Sequence, residues 1–112
     1  MANDRRKDIS DEIIALAAMK AVLMTEGVSG MVDTGDTMSF NKLLGIESGL
    51  LKGIKITRQN EGLEVDVALN VRFGTPIPQT AWNIQENVKN KINAFTDTPV
   101  VKVDVHIAGV TE

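Results

Sequence analysis

The residues that could perform acid–base chemistry lie on stretches of alternating polar and apolar residues. His106 is the only histidine, and Asp104 lies two residues before it, on the same side of an extended strand. Such a carboxylate can orient and polarise an imidazole as a base. The four serines all fall in predicted caps or loops, so no nucleophile accompanies this pair. We therefore expect His106 to be solvated or paired across strands, and we predict no catalytic residue and no enzyme activity.

Metal and cofactor binding have equally little support in the sequence. The chain contains no cysteine and no second histidine, so it lacks the soft and imidazole ligands of most transition-metal sites. Glu64 and Asp66 have the spacing of a carboxylate pair, but no apolar pocket separates their pKa values. These carboxylates are most simply solubilising charges. We predict no metal site and no cofactor.

Nucleic-acid binding is the alternative function. The sequence GVSG, from Gly27 to Gly30, has the GxxG spacing with which some RNA-binding domains clamp a backbone, and the order of elements is similar to one variety of the K-homology fold. Four-residue matches are common by chance, and no basic residues flank this one. The net charge of −3 and the pI near 5.1 give no attraction for phosphates. We therefore expect no nucleic-acid partner, and an RNA-binding module remains the alternative.

Size and composition predict one small soluble domain. A chain of 112 residues with 43% hydrophobic content can bury a single core. The apolar run from Ile13 to Met24 is far shorter than the ~20 residues that cross a bilayer, and acidic residues separate it from the basic cluster before it. We therefore expect no export signal and no direct membrane insertion. The absence of cysteine is consistent with a cytoplasmic location.

The first part of the chain predicts a helix followed by a short strand. Ser10 can cap a helix from Asp11 to about Thr25, and Gly27 ends it. A short extended segment, Val28 to Asp33, follows, and a short helix from Ser39 to about Ser48 is compatible with the sequence after it. Apolar residues cover most of the circumference of the first helix, so it should be buried on more than one side. Its outer side, with Leu16, Met19 and Leu23, meets either a neighbouring segment or another chain.

The second part predicts a hairpin, a helix and a final strand. Ile54 to Gln59 forms the first strand, and a turn at Asn60 to Gly62 leads into the second. Alternation places six residues of the second strand on a core face: Leu63, Val65, Val67, Leu69, Val71 and Phe73. Pro78 begins a helix and pushes Ile77 out of helical geometry, and the core stripe of that helix is Ala81, Ile84, Val88, Ile92 and Phe95. The final strand turns Val101, Val103, Val105 and Ile107 to one face.

These elements predict an α+β fold. A small sheet, made of the hairpin, the C-terminal strand and a short extra strand, is covered by helices on one face. We assign residues 1–8 to a flexible N-terminal segment and 9–112 to a single domain. The other face of the sheet is left to water, because charges of alternating sign are typical of a solvated face. It carries Lys55, Thr57, Glu64, Asp66, Asn70, Arg72, Lys102, Asp104 and His106.

The second helix also carries a candidate protein-interaction surface. Trp82, the only tryptophan, lies away from the core stripe. Asparagines crowd the side opposite that stripe, at 83, 87, 90 and 93, and their low helix propensity costs roughly 2 to 3 kcal/mol against alanine. A protein contact could offset that cost; alternatively, Trp82 covers the edge of the core and the asparagines are solvated. The candidate interaction residues are Trp82, Asn83, Asn87 and Asn90 here, and Leu16, Met19 and Leu23 on the first helix.

Five segments together resemble the alkaline shock protein family of Gram-positive and related bacteria. They are ISDEIIALAA (Ile9 to Ala18), EGVSGMVD (Glu26 to Asp33), KGIKI (Lys52 to Ile56), RFGTPIPQTAWNIQENVKNKI (Arg72 to Ile92) and VVKVDVHIAGV (Val100 to Val110). The proline turn with its NIQENVK helix and the VDVHIAGV strand are the most specific part. Residues 34–51 match the family poorly.

The resemblance implies a non-enzymatic cytoplasmic scaffold or adaptor that is linked to envelope stress and acts through protein–protein interaction. It implies self-association into a homo-oligomer, and protein partners that include a membrane-anchored protein holding the chain at the inner side of the cell membrane. The family brings no established catalytic residue. The chain ends two residues after the last matching segment, so a longer tail of the kind relatives use for localisation is not found in this sequence.

Overall fold

The computed structural model describes residues 11–32 and 53–112. The elements are, in chain order, α1 (Asp11–Met24), β1 (Val28–Met31), β2 (Ile54–Gln59), β3 (Gly62–Arg72), α2 (Ile77–Asn93) and β4 (Val100–Thr111). They confirm the predicted α+β fold, with the hairpin, the C-terminal strand and a short extra strand in one sheet. The predicted cap at Ser10, the segment 1–8 and the predicted helix from Ser39 to Ser48 lie outside the described residues.

Strand β3 is the centre of a mixed four-stranded sheet. On one edge it pairs antiparallel with β2 and, further along, with β1; on the other edge it pairs parallel with β4. The parallel pairing begins where the Leu63 N–H donates to the Pro99 carbonyl over 2.8 Å. Gly62 has φ +146°, and a Cβ there would collide with that carbonyl, so only glycine lets β3 start so close to the beginning of β4.

Both helices pack on one face of the sheet and share one core with it. The five aliphatic residues of β3, Leu63 to Val71 in alternation, are completely buried. Ile84, Val88 and Ile92 of α2 are buried against them, as the spacing predicted. Helix α1 contributes Ile14, Ala15, Ala17, Ala18, Ala21 and Val22, and its small alanines let it lie close to both α2 and the strands.

Phe73, Phe95 and Ile77 lie elsewhere than the sequence predicts, the first two from the strand and helical periods and Ile77 from the proline after it. Phe73 is not in the core: β3 ends at Arg72, and the Phe73 side chain is 79% exposed. Phe95 is also exposed, because α2 ends at Asn93 and the helical period no longer applies. Ile77 is the first residue of α2 rather than a residue outside it, and Pro76 before it takes the extended conformation.

Strand β4 contains two irregularities that the sequence did not indicate. Leu63 pairs with Val100 and Glu64 with Lys102, so Val101 is an extra residue and is exposed rather than on the core face. Ala108 is the second extra residue, between the pairs of Ile107 and Gly109 with β3. Between these two bulges Val103 is buried, while Val105 and Ile107 are half-buried against the core.

The burial of Val67 within β3 and the exposure of Phe73 just after it predict opposite outcomes for two aspartate substitutions in one part of the sequence. Val67→Asp should unfold the protein, since an unpaired carboxylate in a core costs several kcal/mol of the ~5 to 15 kcal/mol that stabilise a small domain. Phe73→Asp, six residues later, should leave the melting temperature within a few degrees of wild type. Thermal melting followed by circular dichroism measures both, and equal destabilisation of the two variants would show that the core extends past the end of β3 to Phe73.

Candidate interaction surface

Trp82 is the largest exposed apolar side chain on the helices. It lies on α2, and 56% of it is exposed to solvent. Ile84 and Val88 point away from it into the core, and Gln85, one turn further along α2, donates a hydrogen bond to the Val103 carbonyl of β4 over 3.2 Å. Since residues three apart share a helix side, Trp82 lies on the side of α2 that faces the outer edge of β4.

The asparagines predicted beside Trp82 have different environments. Asn87 donates to the Thr25 hydroxyl over 2.9 Å, and Thr25, which is buried, donates in turn to the Ala21 carbonyl over 2.9 Å. This chain of bonds ties α2 to the end of α1, so Asn87 has a structural role. Asn83 accepts a hydrogen bond from Gln79 on its own helix. Asn90 is exposed and lines a cavity of about 290 Å³ between the two helices.

The outer side of α1 is only partly exposed. Leu16 and Met19 are half-buried, and Met19 packs against the core. Leu23 is about half exposed and Met24 more so, where α1 ends next to α2. The structure therefore does not bring the seven predicted residues together into one patch: Trp82 and the residues of α1 lie on separate surfaces.

The open face of the sheet is neutralised by its own ion pairs. Lys102 Nζ lies 3.5 Å from a Glu64 carboxylate oxygen and 3.6 Å from one of Asp104. His106, which the sequence led us to expect solvated or paired across strands, has its Nε2 3.7 Å from a carboxylate oxygen of Asp66 on the neighbouring strand β3. In the register of β3 and β4 Asp66 lies directly opposite Asp104, so its contact with His106 runs diagonally between the two strands.

Two groups of this face have clearly shifted pKa values: Asp104 and then Glu64 raise the pKa of the Lys102 ammonium, and the pKa of the Asp66 carboxyl is raised as well. Partial burial, and then the neighbouring Asp104 and Glu64 carboxylates, raise the pKa of Asp66, and His106 partly opposes this shift. The group faces other charged side chains rather than a substrate cavity. Among the described residues, no group of three or more histidine, cysteine, aspartate or glutamate side chains could hold a metal ion.

A shallow cleft of about 440 Å³ lies where β3 ends and α2 begins. Arg72, Phe73, Gly74 and Thr75 form one side of it, and Gln79, Thr80 and Asn83 of α2 form another. The exposed Phe73 ring makes this a second apolar surface that the alternating pattern concealed. Gly74 immediately after it was the available signal, because a glycine with φ +88° ends the strand there.

The GVSG sequence does not form a backbone-clamping loop. Its last three residues lie in β1, where Val28 pairs with Val71 and Gly30 with Asn70 in the antiparallel ladder. In the part of the chain that the structure describes, no helix is long and apolar enough to cross a membrane.

Comparison with known proteins gives a family match along nearly the whole chain. The sequence model of the alkaline shock protein family, described as having a cell envelope-related function, matches residues 2–112. The chain is 30% identical over 106 residues to the uncharacterized protein YqhY of Bacillus subtilis, covering 92% of this chain and 75% of that one. It is 27% identical over 103 residues to the uncharacterized protein YloU of the same organism, covering 92% and 86%.

Solved structures resemble the fold at low sequence identity. A MamM-CTD variant superposes with a TM-score of 0.53 at 13% identity, covering 89% of this chain and 98% of the other. A copper form of MamM CTD gives a TM-score of 0.51 at 13% identity, covering 88% and 85%. At this identity the likeness concerns the arrangement of helices and strands alone.

The raised pKa of Asp66 predicts a pH-dependent cost to stability. The folded state binds the Asp66 proton more tightly than the unfolded state does, so proton binding stabilises the fold. This stabilisation is complete below the pKa of the unfolded state and disappears as the pH rises through the pKa of the folded state. At pH ~7 the charged Asp66 is therefore destabilising. We expect Asp66→Asn to raise the melting temperature by a few degrees at pH ~7 and to lose that advantage near pH ~3.

Asp97→Asn serves as the control, because Asp97 is exposed in the loop before β4. It should change the melting temperature little at either pH. An equal gain from Asp66→Asn at both pH values would contradict the role given to its charge.

Proposed function

Because the chain belongs to the alkaline shock protein family, whose function is related to the cell envelope, we propose that it is a non-enzymatic scaffold or adaptor of the envelope stress response. It acts in the cytoplasm by binding protein and by self-association. A membrane-anchored protein partner holds it at the inner side of the cell membrane. Family membership, which confirms the resemblance found in the sequence, is the observation that carries this proposal.

The absence of enzyme activity is supported by how the described residues use their reactive groups. The histidine and the carboxylates of the open sheet face contact each other in ion pairs on an exposed surface. Catalytic groups normally converge on a cavity that excludes water, where their pKa values can be shifted apart. Here the one clearly shifted carboxyl, Asp66, faces other charges of the sheet.

Protein binding is supported by the exposed Trp82. Exposed aromatic residues on a rigid helix are typical anchors of protein interfaces, because they bury a large area at a low entropy cost. Trp82 is 56% exposed, while α2 beneath it is held by three completely buried residues. The partner surface therefore meets a preorganised helix, and the neutral Asn83 and Gln79 beside it are cheaper to desolvate than charged residues.

The localisation test uses the full chain, fused to a fluorescent protein, in the bacterium that encodes it. We expect a signal at the cell periphery for the wild type and a diffuse signal for Trp82→Ala, since the anchor to the membrane-bound partner is lost. Phe95→Ala is the matched control, because Phe95 is also an exposed aromatic residue but lies beyond the end of α2. It should retain the peripheral signal.

A parallel flotation assay with purified wild-type protein and anionic lipid vesicles separates a protein anchor from direct lipid binding. We expect no co-flotation. A diffuse wild-type fusion, or a peripheral Trp82→Ala fusion, would contradict the proposal, and co-flotation of the purified protein would show that lipid rather than protein is the anchor.

A further inference from the structure

The outer edge of β4 is a row of backbone groups that β3 leaves free. The N–H groups of Leu63 and Phe73 donate to the carbonyls of Pro99 and Thr111, over 2.8 and 2.6 Å, so the odd-numbered residues of β3 bond towards β4. In a parallel pair each such residue bonds to the two residues that flank its partner. The partners themselves therefore direct their backbone N–H and C=O outward. One of these outward groups, the Val103 carbonyl, already accepts a hydrogen bond from the Gln85 amide, so a strand that pairs here must share that carbonyl with Gln85 or displace it.

The register with β3 identifies the residues of β4 whose backbone groups point outward, and these residues are spaced symmetrically along the strand. The partners of the odd-numbered residues of β3 are, in order, Val100, Val103, Val105, Ile107 and Val110. The intervals between them are three, two, two and three residues, because a bulge lies on each side of the central segment. The pattern is therefore the same in both directions from Val105. All five residues are aliphatic, and all lie on the helix-covered face of the sheet.

We propose that β4 pairs edge to edge with β4 of a second copy of this chain, antiparallel and about a two-fold axis at Val105. In this register each residue whose backbone N–H and C=O point away from β3 lies opposite another such residue. Val105 lies opposite its equivalent, Val103 opposite Ile107, and Val100 opposite Val110. The two three-residue intervals also lie opposite each other, with Val101 opposite Gly109 and Lys102 opposite Ala108. A two-fold contact requires such self-complementarity, and an antiparallel ladder forms hydrogen bonds only between residues that both face outward.

The charges of the open face favour the same register. With the axis at Val105, Asp104 of each copy lies opposite His106 of the other, so unlike charges meet twice when the histidine is protonated. An axis at Asp104 would place two aspartates directly opposite each other. An axis at Val103 would place Val100 opposite His106, an outward residue against an inward one. Only the Val105 register satisfies both the backbone spacing and the charges.

The exposure of these five aliphatic residues is also complementary between the two copies. Val100 and Val103, under α2, are only 7% and 8% exposed, Val105 and Ile107 are half-buried, and Val110 is 56% exposed. Helix α2 therefore covers the first half of β4 and leaves the second half open. In the antiparallel pair the open half of each copy lies beside the covered half of the other. The side of α2 that carries Trp82 and Gln85 then faces the other copy.

This inference rests on the self-association in the proposed function and gives it a surface and a register. Sedimentation velocity of the full chain at micromolar concentration tests it. Val105→Pro removes an outward N–H that β3 does not use, and proline is tolerated at such edge positions. We expect wild type to sediment as a dimer or larger assembly and Val105→Pro to weaken association by roughly tenfold or more, because several intermolecular hydrogen bonds depend on that centre. Val105→Thr, which keeps the N–H, should associate like wild type.

Cysteine cross-linking tests the register independently, since the chain contains no cysteine. Val105→Cys brings two thiols together at the axis, at a distance that a disulfide can span, and should form a covalent dimer under mild oxidation. Lys55→Cys, exposed on β2 at the opposite edge of the sheet, should remain monomeric on denaturing gels. Circular dichroism of each variant verifies folding.

The outcomes separate this inference from the proposed function. A wild type that associates, with Val105→Pro associating equally well and Val105→Cys failing to cross-link, would overturn the β4 register and leave self-association standing. Dissociation by Trp82→Ala, with Val105→Pro associating like wild type and Val105→Cys failing to cross-link, would assign the contact to the helix surface instead. A monomeric wild type at all accessible concentrations would overturn both this inference and the self-association on which it rests.

Discussion

The structure depends on the complete burial of one face of β3. Its aliphatic residues share one core with both helices, while its backbone bonds to β1 and β2 on one edge and to β4 on the other. A strand bonded on both edges and buried on one face has a single allowed register, because a shift of one residue would exchange the apolar and polar faces. The positions of α1, α2 and β4 all follow from that register, and so do the exposed surfaces.

The same strand determines what its other face can do. Glu64 and Asp66 project from the side opposite the core, where Lys102, Asp104 and His106 of β4 reach them across the sheet. These charges largely satisfy one another, and the pKa of Asp66 is raised because the group is partly buried among other carboxylates. The result is a polar surface that is expensive to desolvate, which directs strong contacts to the helices and to the sheet edge instead.

The proposed protein binding uses the surfaces that remain. Trp82 stands on a helix that is anchored by the core, and the outer edge of β4 lies beside it, with aliphatic residues that α2 covers only in part. An envelope-related family and a chain rich in such surfaces are consistent with a protein that works by assembly. The two surfaces adjoin, so a partner bound at Trp82 and a second copy bound at β4 would be coupled through α2.

The sequence by itself determined the elements and the core face, because the alternation in β3 and the three-and-four spacing in α2 have one physical solution each. It also indicated the family, through segments that carry both patterns. Only the tertiary structure decided where these patterns stop. Phe73 and Phe95 continue the patterns in the sequence but lie past the ends of their elements, and Val101 is displaced by a bulge that depends on pairing with β3. Likewise, only the packing of separate elements decided that Asp66 is the cross-strand partner of His106 and that Asn87 bonds to Thr25, because these contacts join residues that are distant in sequence.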